Sequence, residues 1–268
     1  MPIHCPIAIR DLSKAAFDER DALVMRCAYA AQNTLGRLLD ERVYENDLAL
    51  RLQAEGCVAH TQVPITVRLG TFEKVYRCDL IAGESLYELK TVIAFTGEHD
   101  MQALHYAMML GVGHAKLLNF RTQKVQGRLR FNTLSQADRH RLAWEDDAWR
   151  PLSDRCDELR QHARNIINDC GAYLDCRLYD EALRHFMGGD PACVRRVPVV
   201  RDGNELGTHP MSFHADGLFF VVSALTTEIP QFAGHLRRLM RFTASCGAQW
   251  VNLNHNRIQF FTLEASNE

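Results

Sequence analysis

Two short stretches carry residue types that suit hydrolytic chemistry: Tyr76-Arg77-Cys78-Asp79-Leu80 and Tyr87-Glu88-Leu89-Lys90-Thr91. Each has the composition of a strand, and the Ala82-Gly83-Glu84 run between them reads as a turn, so a hairpin is expected. Asp79 falls near the end of the first strand. Glu88 and Lys90 stand two apart in the second and therefore share a face. Asp79 and Glu88 are hard oxygen ligands, suited to Mg²⁺ or Mn²⁺. Such an ion polarises a scissile bond and lowers the pKa of an attacking water. Lys90 would offset the charge that develops on the oxygens under attack. The bland reading is an acid at a strand end and a surface ion pair. It explains poorly why a charged pair sits in a strand that is otherwise apolar.

Further residues could join this set. Glu41 lies on a predicted helix with Tyr44 three positions on, on the same face. It either completes a metal shell or is an ordinary exposed helix acid. Gln102 and Tyr106, four apart on another predicted helix, could orient Lys90 or touch phosphate; for Tyr106, core packing is the stronger reading. Arg121, Lys124, Arg128 and Arg130 form a local basic concentration that suits a nucleic-acid backbone or merely a solvated turn. His99, His105 and His114 lack the compact spacing of a zinc site. His209, His214 and Asp216 make a weak metal candidate.

Length and composition allow a large single domain or two smaller ones. A formal charge of −2 over 268 residues gives no global signal for nucleic acid. The nine cysteines are odd in number, irregular in spacing and without CxxC, so small buried thiols are expected rather than disulfides or zinc knuckles. No signal peptide and no membrane-length apolar run are visible, and a reduced cytoplasm is the expected compartment.

Helical periodicity covers 21–35 and 38–52, closed by Gly36 and Gly56. Strand character follows at 58–67, 75–81 and 85–92, then a helix at 98–110, a strand at 114–120 and another at 126–132. Hairpin strands followed by a helical crossover predict a mixed sheet with helices against it. Residues 133–158 turn strongly polar and are expected to be a connector, with Trp144 and Trp149 keeping it partly ordered. The expected organisation is therefore 1–132, a connector at 133–158, and 159–268.

The second half echoes the first. Asn33-Thr34-Leu35-Gly36 matches Asn168-Asp169-Cys170-Gly171. Asp40, Arg42, Tyr44 and Leu48 match Asp175, Arg177, Tyr179 and Leu183, all 135 positions apart (175 − 40). Leu117-Leu118-Asn119-Phe120 resembles Trp250-Val251-Asn252-Leu253, and Cys78-Asp79-Leu80 resembles Ala215-Asp216-Gly217. Two similar α/β units are expected. Aligning Thr91 with Thr226 sets Ser223 opposite Glu88 and Leu225 opposite Lys90. The second unit then keeps one acid and loses the rest of the site.

Residues from about 22 to 132 resemble the GxxExxY protein family of the PD-(D/E)xK nuclease-like superfamily. The resemblance is carried by Glu41-Arg42-Val43-Tyr44, Gln62-Val63-Pro64, Tyr76 to Leu80, Glu88-Leu89-Lys90, Gln102 with Tyr106, and Leu117 to Phe120. The family's first glycine is replaced by Leu38. The resemblance implies a restriction-endonuclease-like mixed sheet flanked by helices, here as two tandem units. It implies that Asp79 and Glu88 bind Mg²⁺ or Mn²⁺, that Lys90 assists, and that Glu41 and Gln102 lie nearby. The expected function is a metal-dependent nuclease acting on phosphodiester bonds, with the second unit a degenerate copy and the pair an intramolecular pseudo-dimer. The alternative is a catalytically inactive nucleic-acid-binding or protein-interaction module on the same fold.

Overall fold

The computed structural model describes residues 2–265. The chain divides into two compact units, Met1–Arg68 with Glu73–Asp138, and Leu69–Phe72 with Arg139–Glu268. Each unit contributes a six-stranded mixed sheet.

In the first unit the order is β1 (Ile3–His4), α1 (Lys14–Leu35), α2 (Glu41–Ala54), β2 (Ala59–Leu69), β3 (Phe72–Ala82), β4 (Ser85–Lys90), α3 (Gly97–Leu110), β5 (His114–Asn119), β6 (Gln126–Phe131) and α4 (Gln136–Arg139). The sheet runs β1-β2-β3-β4-β5-β6. β4 is antiparallel to β3 and parallel to β5, and β5 is antiparallel to β6. The parallel step requires a crossover, which α3 supplies. One core packs Val24, Cys27, Ala28 and Ala31 of α1 and Tyr44, Leu48 and Leu52 of α2 against Leu80, Tyr87, Leu89 and Leu118. Helix α3 packs against β4, β5 and β6.

Local chemistry explains the helix ends near the site. The Ser13 hydroxyl accepts the Ala16 N–H and starts α1. Gly36 ends it at φ 79°. The Tyr44 hydroxyl donates to the Gly36 carbonyl (2.8 Å) and accepts from the Leu39 N–H (3.3 Å). It thus ties the end of α1 to the start of α2, where Glu41 is the first helical residue. An acid at that position is favoured by the positive end of the helix dipole.

The second unit begins earlier than its composition indicates. Within the polar stretch 133–158, residues Ala143–Ala148 form β7, a strand paired in parallel with β12 (Arg257–Glu264). The physical reason is aromatic: Trp144 and Trp149 pack on Phe260 at ring distances of 6.0 and 5.6 Å, and Arg164 lies over the Trp144 ring while pairing with Asp146. A short strand between charged neighbours hides its pattern when its burial comes from distant rings. After it come α5 (Asp154–Cys170), α6 (Cys176–Phe186), α7 (Asp190–Cys193), β8 (Val194–Arg201), β9 (Asn204–Ala215), β10 (Leu218–Ser223), α8 (Ile229–Thr243), β11 (Gly247–Asn254) and β12 (Arg257–Glu264). The sheet order is β7-β12-β11-β10-β9-β8. β10 is antiparallel to β9 and parallel to β11, with α8 between β10 and β11 in sequence. All nine cysteines are free thiols, six of them buried.

Candidate active site

The spacing between Asp79 and Glu88 follows from hairpin geometry. Gly83 (φ 51°) and Glu84 (φ 70°) form a two-residue loop, with both central residues in the left-handed region. Ala82 then pairs with Ser85, Ile81 with Leu86 and Leu80 with Tyr87. One more step back along β3 and on along β4 brings Asp79 beside Glu88. The Asp79 N–H donates to Glu88 Oε1 (3.2 Å), and the Leu89 N–H donates to Asp79 Oδ2 (2.8 Å). Every residue of β4 is buried, because strands flank it on both sides.

Lys90 ends β4, and its ammonium turns back to donate to the Leu89 carbonyl (2.6 Å). It stands 3.4 Å from Asp79 Oδ2, 3.7 Å from Glu88 Oε2 and 3.6 Å from Glu41 Oε1. Three carboxylates from a helix and two strands thus face one point, and an ammonium holds it. Asp79 is 6 % exposed, Lys90 8 % and Glu88 0 %.

This burial is legible in the acids. Glu88 is pushed well above the usual carboxylate range by burial, then by the neighbouring Asp79 carboxylate; Lys90 opposes this in part. Glu41 is raised by burial, with Lys90 opposing. For Lys90, burial alone would depress the pKa, but Asp79, Glu88 and Glu41 together outweigh it and raise it. Lys90 is therefore an ammonium at neutral pH, suited to electrostatic work and not to accepting a proton.

Two further residues complete the cluster: Glu45, which did not stand out in the sequence, and Gln62, which stood out only within the Gln62-Val63-Pro64 stretch and was not placed at the site. Glu45, 1 % exposed, accepts from Arg42 (2.8 Å) and from the Gln62 amide (2.8 Å). The same Gln62 nitrogen reaches Asp79 Oδ1 at 3.4 Å. Glu45 lies four residues beyond Glu41, and that i, i+4 spacing is the signal that would have found it. A cavity of about 700 Å³ opens here, lined by Glu41, Arg42, Glu45, Gln62, Arg77 and Thr91 among others.

Other sequence candidates lie elsewhere. The Gln102 amide donates to Tyr106 on its own helix (3.4 Å), and none of its described hydrogen bonds goes to the carboxylates or to Lys90. Tyr106 is nearly buried, and burial and the Glu88 charge push its phenol up to about 12. Arg128 and Arg130 both pair with Asp100 (3.2 and 2.6 Å), and Arg128 also lies over Phe95. Arg121 and Lys124 are exposed on the loop after β5. His99 caps the N-terminus of α3, accepting the Thr96 N–H on Nδ1.

Residues 18–131 match the family model of the PD-(D/E)XK nuclease superfamily. That segment, a little under half of the chain, contains every residue of the cluster. No curated protein and no solved structure matched the chain. The α/β architecture is consistent with the superfamily fold, whose nucleases generally use divalent metals.

The donor set fits such an ion. Three hard carboxylates face one point, and buried Glu88 Oε2 has no hydrogen-bond partner. As the side chains stand, however, no group of three or more His, Cys, Asp or Glu among the described residues is spaced to hold a metal. The ammonium of Lys90 draws the oxygens to ion-pair distances, longer than the roughly 2.0–2.6 Å of direct coordination.

The second unit lacks this arrangement, and its register differs from the sequence alignment. Asn119 holds Val92 through both backbone groups, and Asn252 holds Leu225 in the same way. Lys90 pairs with Asn119 across β4 and β5, and Ser223 pairs with Asn252 across β10 and β11. Ser223 thus stands at the place of Lys90, and Val221 at that of Glu88. The hairpin register puts Met211 near the place of Asp79, because Ser212 pairs with Phe220 as Leu80 pairs with Tyr87. Asp216 instead lies in the turn after β9, with its side chain fully exposed. Cys176 begins α6 as Glu41 begins α2. Trp250 donates to the Ser223 hydroxyl (2.7 Å).

Proposed function

We propose that the protein is a divalent-metal-dependent nuclease, related to the GxxExxY family, that hydrolyses phosphodiester bonds at the Glu41–Asp79–Glu88–Lys90 cluster. The observation that carries this reading is the convergence of three carboxylates on one point, with a buried Glu88 oxygen that accepts no hydrogen bond, inside the segment that matches the nuclease superfamily. Asp79, Glu88 and Glu41 would hold Mg²⁺ or Mn²⁺. Bound there, the ion would supply Lewis-acid polarisation of the phosphate and a more acidic water. The chain's own groups do the rest. Lys90 offsets charge developing on the phosphate oxygens. Arg77, exposed at the cavity, meets the nucleic-acid backbone, while Arg121 and Lys124 are available for flanking phosphates. Gln102 supports the site from α3 through Tyr106.

The second unit is read as a degenerate copy. Its Tyr179 hydroxyl donates to the Gly171 carbonyl and accepts from the Leu174 N–H, as Tyr44 does with Gly36 and Leu39. It would serve as scaffold, substrate clamp or intramolecular counterpart of a dimer partner. A reduced cytoplasm suits its unpaired cysteines.

One observation favours a second reading, an inactive nucleic-acid-binding or protein-interaction module: the Lys90 ammonium already occupies the focus of the acids. Cleavage of a DNA and RNA panel with Mg²⁺ or Mn²⁺ separates the two. Wild type is expected to cleave, with Glu88→Ala and Lys90→Ala reduced to background. Equal background in all three, with nucleic acid still bound, would select the second reading.

A further inference from the structure

Gln62 has φ 51° yet lies inside strand β2. The other non-glycine residues described with positive φ, such as Glu84, Asp202 and His255, lie in turns, loops or helix caps. A left-handed conformation is costly for a residue with a Cβ, and a long side chain such as Gln lacks the local compensation open to Asn or Asp. Strain of this kind persists where the surroundings over-determine it, and it concentrates at functional sites.

The surroundings here are the acids. The Gln62 Nε2 hydrogens go to Glu45 Oε2 (2.8 Å) and Asp79 Oδ1 (3.4 Å), and its carbonyl accepts from Arg77 (3.4 Å). Asp79 Oδ2 is already held by the Leu89 N–H (2.8 Å) and the Lys90 ammonium (3.4 Å), so Gln62 supplies the contact to the other oxygen, Oδ1, which restrains the rotation of the carboxylate. An amide does this without charge. An ammonium or guanidinium in the same place would cancel part of the negative field that attracts a cation. The amide also lets two neighbouring acids share one donor group.

We propose that Gln62 is a positioning residue of the carboxylate site: its strained backbone aims an uncharged donor that locks Asp79 and Glu45 in the orientation a divalent ion requires. This rests on reading the site as a divalent-ion centre.

The decisive variant is Gln62→Gly, because glycine adopts positive φ freely while losing the amide. Mn²⁺ affinity, measured by calorimetry on the full chain without nucleic acid, is read beside the melting temperature and beside Asp79→Ala. The expected result is a melting temperature equal to or above wild type, with Mn²⁺ affinity about 10- to 100-fold weaker. Gln62→Ala is expected to lose similar affinity and also to melt earlier. Wild-type affinity in Gln62→Gly, or a loss matched by a fall in its melting temperature, would overturn the positioning role while leaving the ion centre intact. Indistinguishable Mn²⁺ titrations of wild type and Asp79→Ala would instead remove the ion centre, and the role of Gln62 with it.

Discussion

Glu88 is where folding and chemistry conflict. It is fully buried, one of its oxygens has no hydrogen-bond partner, and its pKa is raised well above the carboxylate range. The folded state thus holds the Glu88 proton more tightly than the unfolded chain does. Its contribution to stability is complete below the ordinary carboxylate pKa and is lost as pH rises through the raised value. Glu88→Gln removes the titration. Without divalent ions, its melting temperature relative to wild type is expected to climb as pH rises above the ordinary carboxylate range, while cleavage falls to background. A pH-independent difference would contradict this. Lys90 plays the opposite part. As the ammonium at the focus of the acids, it competes with any divalent ion for them. Lys90→Met is therefore expected to bind Mn²⁺ more tightly while cleaving about 10²- to 10³-fold more slowly, the order seen when one transition-state donor is lost. Titration and single-turnover cleavage test the two halves separately.

At the scale of elements, the site depends on two devices that set distances. The first is the two-residue loop at Gly83 and Glu84, which dictates that Asp79 meets Glu88. The second is the Tyr44 hydroxyl clamp on the α1–α2 junction, which presents Glu41 at the start of α2. Tyr44→Phe and Tyr179→Phe each remove an equivalent clamp, at a cost of about 1 kcal/mol in urea unfolding. Of the two, Tyr44→Phe is expected to slow cleavage, since its clamp sets the position of Glu41. The hairpin was legible in the sequence because turn chemistry and strand alternation are local. The place of Gln62 beside the acids, and Glu45 itself, were not, because a left-handed residue inside a strand carries no compositional mark and Glu45 reads as an ordinary helix acid. The strand at Ala143–Ala148 was hidden for a related reason: it is only partly covered, and the ring that packs on its Trp144, Phe260, lies more than a hundred residues away.

For the molecule as a whole, β2–β6 and β8–β12 line up in the same strand order, but β1 joins the first sheet beside β2 and β7 joins the second beside β12. Among the described residues only the first unit brings three carboxylates to one point. An ion that binds the folded protein and not the unfolded chain stabilises it by about 2.7 kcal/mol at 100 times its dissociation constant. Mn²⁺ is accordingly expected to raise the melting temperature of wild type and of Asp216→Ala equally, and to leave Asp79→Ala unmoved. A reduced shift in Asp216→Ala would return that acid to a site from which its turn position excludes it. The sequence alignment paired Asp216 with Asp79 because the residue types agree. Backbone register pairs Met211 with that place, since strand pairing answers to hydrogen-bond geometry and tolerates a bulge between Leu218 and Phe219.

The sequence alone determined the hairpin, the crossover helix, the identity of Asp79, Glu88 and Lys90, and their shared neighbourhood. All of these follow from turns and periodicities within a few residues. Tertiary structure decided that Glu41 comes to the same point, that Lys90 occupies it, and that the Gln62 amide lies between Glu45 and Asp79. It also decided which residues of the second unit occupy the register positions that Asp79, Glu88 and Lys90 hold in the first. Those relations depend on how a helix docks on a sheet and which backbone groups pair, and both are set by contacts far apart in the chain.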